Sequence, residues 1–405
     1  MSTKHYEFSK RVKGINASPI RKFASHSEKA KKEGKTVIPL NIGQPDVVTP
    51  KEYLSAIAAI DSSVIAYTSS NGINEAIDAF RDYFKTLGMP FESEDILITT
   101  GGSEALTFAI STLCDDGDEI LVFEPYYANY NTLAKISGAK IVAVTTVPEN
   151  NFALPSYEVI KEKITDRTKA ILVTNPNNPT GSVLDRSEIE LIVKLALEND
   201  LFIIADEVYR EFIYADKGYI SFTEYPECLE NLVVVDSVSK RFSGCGIRIG
   251  CVASKNDEFI AEVLKLCQSR LCAPYVEQIG TAAMFKVDHS YIDEAIKSYR
   301  DRRDLCIKLM QNIEGTVCQI PDGAFYFILG LPVEDAEDFT GWMLGEFDVD
   351  GETIKLCPAK DFYATPGKGL NEVRISYCIA EDRLIKAANI LEKGLKEYRK
   401  VKGLE

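Results

Sequence analysis

The sequence predicts an α/β protein: a mostly parallel sheet of seven strands covered by helices on both sides, with a smaller α+β domain beside it. Three observations carry that expectation. From about residue 95, short apolar runs alternate with helical stretches, the rhythm of repeated β–α units. The runs are near-continuous and rich in Val and Ile, as strands buried on both faces are. After about residue 290 the pattern gives way to long charged helices around two strand-like runs.

Residues 1–50 are expected to belong to the smaller domain, 51–290 to form the large domain, and 291–405 to complete the smaller one. DILITTGG opens the sheet, and SEALTFAISTLC after it has the apolar spacing of a helix. EILVFEPYY, KIVAVTTV, KAILVTNPNNPTG, LFIIADEVY, NLVVVDSVSK and IRIGCVAS supply the other strands, with helical stretches such as DRSEIELIVKLALEND between several of them. In the smaller domain, YIDEAIKSYRDRRDLCIKLMQNI reads as a long charged helix. DGAFYFILGL and EVRISYCIA read as strands, and EDRLIKAANILEKGLKEYRK as a closing amphipathic helix.

Composition narrows the function. At 45% hydrophobic and 26% charged residues, the chain has the make-up of an ordinary globular protein. Its formal net charge of −15 argues against nucleic acid as a partner, because phosphate-backbone binding needs a basic face. Ten cysteines stand singly with no C-x-x-C pair, and the three histidines, His5, His26 and His289, are too few for a His-rich metal site. Reduced thiols, an N-terminus without an apolar core and no uninterrupted apolar span point to a cytoplasmic protein with no membrane partner.

In parallel sheets ligands sit at the carboxyl ends of the strands. Five polar clusters fall there: TTGGSEA, EPYYANY, TNPNNPTG, ADEVY and DSVSK. Lys240 at such an end can act as a nucleophile if desolvation or neighbouring cations lower its pKa; otherwise it is a solvated lysine. Ser237 and Arg248 beside a helix start suit a phosphate, and so do Gly102 and Ser103 at the start of another helix. Asp206 either caps a helix or pairs with a buried cationic ring nitrogen. Tyr209 lies three residues on, and one turn places its hydroxyl on the same side. Asn178 in NPNNPTG is a donor held by two prolines, and Tyr127 is an aromatic able to cover a planar ring. Together they suit one ligand: an aromatic ring bearing a phosphate, a phenolic oxygen, a ring nitrogen and an aldehyde, which is pyridoxal 5'-phosphate.

The same residues carry a family resemblance. S-x-S-K-x-F-S-x-x-G-x-R-x-G at 237–250, N-P-N-N-P-T-G at 175–181 and D-E-V-Y at 206–209 stand with Y-T-x-x-x-G at 67–72, I-G-Q-P-D at 42–46 and V-R-I-S at 373–376. With these motifs in order from about residue 40 to 380, the chain resembles the class I aminotransferases of fold type I, pyridoxal-phosphate enzymes typified by aspartate aminotransferase. The resemblance implies that Lys240 binds the cofactor aldehyde and then shuttles the α-proton. Asp206 faces the pyridine nitrogen, Tyr209 and Asn178 the phenolic oxygen, and Tyr127 stacks on the ring. Gly102, Ser103, Ser237 and Arg248 take the phosphate. Tyr67 reaches the phosphate of a neighbouring subunit, which implies a homodimer with shared active sites. Arg374 clamps the substrate α-carboxylate, aided by the backbone near Gly43 and by Asn178.

The implied reaction moves an amino group between an L-amino acid, with aspartate foremost, and a 2-oxo acid, with 2-oxoglutarate foremost, in a ping-pong sequence. Bacterial members of this branch commonly carry a lysine after the G-G pair to receive a distal carboxylate, and here that position is Ser103. Arg21 and Arg270 are the candidates to replace it, unless they are solvated surface residues. The competing readings are a C–S β-lyase, an aminotransferase specific for alanine or aromatic amino acids, a regulator with an aminotransferase-like sensor, and a nicotinamide dehydrogenase. The regulator needs an N-terminal DNA-binding domain, for which the roughly 40 residues before the first motif leave no room. The dehydrogenase needs G-x-G-x-x-G after its first strand, which TTGGSEAL does not supply.

Overall fold

All seven apolar runs become strands of one sheet in the computed structural model, which describes residues 6–215 and 218–404 and so leaves His5 outside. The spatial order is Ile96–Thr99, Gly250–Ala253, Leu232–Ser237, Phe202–Asp206, Thr168–Thr174, Glu119–Glu124 and Lys140–Thr145. Neighbours run parallel except Gly250–Ala253, which is antiparallel to both strands beside it. Alternate side chains along each strand enter opposite cores, as a period of two requires. Leu232 and Val234 pack with Phe80, Phe84 and Ile192 on one face. Val233 and Val235 pack with Leu106, Ile110 and Val263 on the other. Two buried faces explain why these strands show no polar alternation.

Residues 185–200 show how a helix is specified locally. The helix Arg186–Glu198 starts at Asp185, whose carboxylate accepts from the Glu188 amide while Glu188 reaches back to the Asp185 amide. Ile189, Ile192, Val193, Leu195 and Ala196 then fall on the buried face.

The C-terminal elements build a second, antiparallel sheet in the order Cys357–Pro358, Glu372–Ser376, Tyr326–Gly330, Val317–Cys318. Thr36–Pro39 pairs in parallel with Glu352–Lys355, so the N-terminal segment and the C-terminal third share one core. That pairing has no periodic signal in either four-residue strand; it exists because Ile38 and Ile354 are both buried there. Helix Ser290–Gln311 spans the two cores, with Ile292 in that of the large sheet and Tyr299, Cys306 and Met310 in the other. Among the described residues no helix is long and apolar enough to cross a membrane.

A buried charge cluster lies under the carboxyl rim of the large sheet. Asp236, fully buried, accepts from Arg210 at 2.6 Å and from Arg241 at 3.0 Å. Arg210 also binds Glu207 at 2.8 Å, and Arg241 binds Glu211 at 3.1 Å and covers the ring of Tyr83 at 3.7 Å. Desolvation pushes the Asp236 carboxyl up, but the two guanidiniums outweigh it and hold the pKa below the ordinary value. Breaking one member of a buried cluster strands the others' charge, a loss of roughly 3 kcal/mol or more. Asp236→Asn, which keeps the volume and removes the charge, is therefore expected to lower unfolding free energy by about that amount. The midpoint of a urea titration measures it, and an unmoved midpoint contradicts this account.

Candidate active site

The strand ends Thr99, Glu124, Thr174, Asp206 and Ser237 share one rim, and the reversed strand brings its N-terminal approach, Arg248, to the same place. A cavity of about 480 Å³ lies against this rim and reaches the antiparallel sheet that carries Tyr326 and Arg374. Of the residues singled out from the sequence, Gly43, Gly102, Ser103, Tyr127, Asn178, Asp206, Tyr209, Ser237, Lys240, Arg248 and Arg374 all line it.

Lys240 sits in the short helix Val238–Arg241, started by Ser237, whose hydroxyl accepts from the Ser239 amide. Its Nζ donates to the Gly43 carbonyl at 2.9 Å. Desolvation presses its pKa down, but Tyr326, Cys245 and Tyr127 around it outweigh that and leave it above the ordinary lysine value. The condition posed from the sequence, a pKa lowered by desolvation or neighbouring cations, is therefore not met in the chain by itself.

Asp206 does not cap a helix, since a turn follows it. Its Oδ2 accepts from the Tyr130 hydroxyl at 2.6 Å, and its Oδ1 is buried with no partner among the described residues. Burial pushes its pKa up to about 6, against the pull of the hydrogen bond from Tyr130. An orphaned oxygen on a buried carboxylate in the wall of a cavity calls for a donor from a ligand.

Arg248 holds its backbone at φ 60° and lies against Gly101, where an added Cβ would come within 2.5 Å of its guanidinium. Glycine there allows both the φ of 72° and the close approach. Gly102 and Ser103 follow in the first turn of helix Gly101–Leu113, where free amides and the helix dipole favour an anion. The Ser237 hydroxyl is engaged within the chain, donating to the Ile249 carbonyl at 3.1 Å and sharing a 2.8 Å bond with Ser239. Ser239, which the sequence did not single out, also lines the cavity.

Across the cavity, Arg374 is 1% exposed. It donates to Asn178 Oδ1 at 2.9 Å and to the Asn41 carbonyl at 2.7 Å, and its Nε has no partner. Its guanidinium lies over Tyr326 at 4.3 Å and Phe362 at 5.3 Å. Asn178 also donates to the Tyr209 hydroxyl at 3.5 Å, which shares a 3.0 Å bond with Tyr326. The segment around Phe362 is pinned by Glu124, whose carboxylate accepts from the Ala364 and Thr365 amides at 2.7 and 3.0 Å. The unusual run CPAKDFYATPG thus builds the support behind Arg374.

Two residues lie elsewhere. Tyr67 is 80% exposed and outside the cavity of its own chain. Arg270 is committed to Glu104 at 2.8 Å and to the carbonyls of Ser70 and Ile98, whereas Arg21 lines the cavity. Tyr130, Tyr326 and Asn41 were missed because a tyrosine in an apolar run and an asparagine in a loop look like packing and turn residues. The spacing of Tyr130, three after Tyr127 in EPYYANY, was the one available signal.

The lining sets four cations, Arg21, Lys240, Arg248 and Arg374, against the single carboxylate of Asp206. None of its three arginines has a carboxylate partner among the described residues. In a chain of net charge −15 this is a site built for anions. Its orphaned carboxylate oxygen, helix start with Arg248, and lysine fit a phosphorylated cationic ring bearing an aldehyde.

The family model described as aminotransferase class I and II matches residues 35–391. The chain is 32% identical over 398 residues to an aspartate aminotransferase of Pyrococcus horikoshii, covering 96% of this chain and 97% of that one. It is 34% identical to a (5-formylfuran-3-yl)methyl phosphate transaminase of Methanocaldococcus jannaschii, covering 91% and 94%. A solved aspartate aminotransferase of Thermus thermophilus with maleate superposes with a TM-score of 0.87 at 26% identity, covering 96% of this chain and all of that one.

Asp206 should weaken the ligand-free fold. Its folded pKa of about 6 exceeds the ordinary 3.8, so the folded state binds the proton more tightly than the unfolded state. Stability then falls as pH rises through that window, by about 3 kcal/mol in full above it. Asp206→Asn is expected to raise the melting temperature of cofactor-free protein at pH 8 relative to wild type, with little gain at pH 4. Equal shifts at both values contradict the assignment.

Proposed function

The chain belongs to the class I and II aminotransferases, which are pyridoxal-phosphate enzymes, and from that premise we propose that it transfers an amino group between L-aspartate and 2-oxoglutarate. The observation that carries the transferase reading is the Lys240–Asp206–Arg248 set on one rim, facing Arg374 across a single cavity. Aspartate rests on similarity to several aspartate aminotransferases, a similarity that favours transfer over β-elimination.

Pyridoxal phosphate, when bound, supplies an aldehyde for the amine and a ring that takes up the electron pair left on Cα. The chain's own residues divide the remaining work. Arg248, the Gly102 amide, Ser103 and Ser237 hold the phosphate, and the helix start at Gly101 adds its dipole. The free Oδ1 of Asp206 takes the ring N–H, while Tyr130 keeps its other oxygen in place. Tyr209 and Asn178 donate to the phenolic oxygen, and Tyr127 covers the ring. Arg374 receives the substrate α-carboxylate with two parallel bonds, and the Gly43 backbone closes beside it. Once neutral, Lys240 Nζ would take the Cα proton as general base and give it back as general acid. The tyrosines and apolar lining exclude water from this proton transfer.

Tyr67 completes the site of a second copy in a homodimer with shared active sites. The support is its own exposure together with that of Val64 and Ile65 beside it, 70% and 56% exposed, an apolar strip that association would cover. Domain boundaries near residues 50 and 290 and a cytoplasmic location complete the reading. The second rests on ten unpaired cysteines, seven of them buried.

Two results are expected. Lys240→Ala loses turnover by about 10⁴-fold or more and the borohydride-reducible visible chromophore with it; retention of both contradicts the assignment. In an amino-donor panel with 2-oxoglutarate, aspartate gives the highest kcat/KM and parallel double-reciprocal lines, and an acceptor-free assay releases no ammonia from cystathionine. Activity confined to alanine or aromatic donors removes aspartate.

A further inference from the structure

Each cation of the cavity but one has an occupation under the reading above: Lys240 with the aldehyde, Arg248 with the phosphate, Arg374 with the α-carboxylate. Arg21 is left over. Its side chain makes no hydrogen bond or ion pair among the described residues, although it lines the cavity. An exposed arginine is usually a solvated one, but three features set this one apart.

First, it is held in place. A turn closes from the Arg21 amide to the Ser18 carbonyl at 3.0 Å, Phe23 is buried, and Ile20 packs with Ala128, Phe362 and Tyr363. Second, it is tied to the α-carboxylate arginine through one residue. Asn41 donates to the Ile20 carbonyl at 2.8 Å and accepts from Arg374 at 2.7 Å. The segment bearing Arg21 and the guanidinium of Arg374 are thus braced against each other. Third, among the described residues of this chain no other cation lining the cavity is left without an occupation. Ser103 carries no charge, and Arg270 is spent on Glu104.

We propose that Arg21 receives the distal carboxylate of a dicarboxylic substrate, replacing the lysine that Ser103 displaces. A guanidinium suits the task, because its planar fork matches a carboxylate with two bonds. The brace through Asn41 then makes the pair Arg374 and Arg21 a two-point gauge for substrate length. The proposal rests on the aminotransferase reading for its substrate and on the cavity geometry for its site.

The test uses pyridoxal-phosphate-loaded wild type, Arg21→Ala and Arg21→Lys. Half-reactions with donor alone, followed through the cofactor spectrum, avoid the confounding second carboxylate of 2-oxoglutarate. A spectral titration with maleate measures dicarboxylate binding without turnover. Arg21→Ala should lower kcat/KM for aspartate by roughly 10²-fold, the worth of one charge-assisted pair. The value for alanine should change by no more than about 3-fold, and maleate should bind weaker by a factor like that for aspartate. Lysine, a point charge without the fork, should restore part of both. Equal losses for aspartate and alanine, or maleate binding unaltered in both variants, overturns the proposal. If wild type does not deaminate aspartate and yet maleate affinity depends on Arg21, the subsite stands and the aspartate reading falls.

Discussion

Asp236 is the interaction on which the site depends. Its carboxylate, fully buried, holds Arg210 and Arg241. Arg210, with Glu207 and Glu211, belongs to the turn that carries Asp206 and Tyr209 on one side, while Arg241 directly follows Lys240. The cluster therefore clamps the two strand ends that bear the three central polar groups of the cavity. Hydrophobic burial positions the strands but is non-directional. Charge pairs in a low-dielectric interior are directional and tolerate little displacement. The cluster lies under the rim and turns its charges away from the cavity, so Lys240 and Asp206 remain free for a ligand.

Above that clamp the cavity lining is the inverse of a stable interior. An ordinary core neutralises its charges, as Asp236 shows. The lining leaves Asp206 Oδ1 and Arg374 Nε unpartnered, and Arg248 in a left-handed backbone conformation. Each weakens the empty fold, and each is relieved by a ligand of opposite charge or complementary hydrogen bonding. Binding and folding are thus coupled through the same atoms. Relatives named for different substrates are similar to this chain over nearly their whole length. Under the proposed reading the frame serves the cofactor and the α-carboxylate, and substrate choice falls to the few residues at the far side of the cavity.

The N-terminal segment provides that far side. It reaches the cavity because Thr36–Pro39 pairs with Glu352–Lys355 and because Asp46 is held by Arg302 at 2.6 Å and by Tyr299. The I-G-Q-P-D motif is thereby explained in parts. Gly43 presents its carbonyl to Lys240 and has no room for a side chain, since an added Cβ would fall 1.9 Å from the Tyr326 hydroxyl. Asp46 anchors the loop to the long helix between the two cores.

Strand existence, the seven-strand sheet and most of the polar residues that line the cavity were legible in the sequence. A doubly buried strand is an uninterrupted apolar run, and chemistry at its end shows as polar residues where packing alone would not place them. Lys240, Asp206, Arg248 and Asn178 are each within a few residues of such a run, so their signal is local. The short strand Thr36–Pro39, the support of Tyr130 for Asp206 and the choice between Arg21 and Arg270 were not legible. Each depends on contacts between residues far apart in the chain, and loop closure leaves no periodic mark in sequence. Arg21 and Arg270 look alike as letters. Only the folded chain commits one to Glu104 and leaves the other facing the cavity, because tertiary packing alone determines which charges are already neutralised.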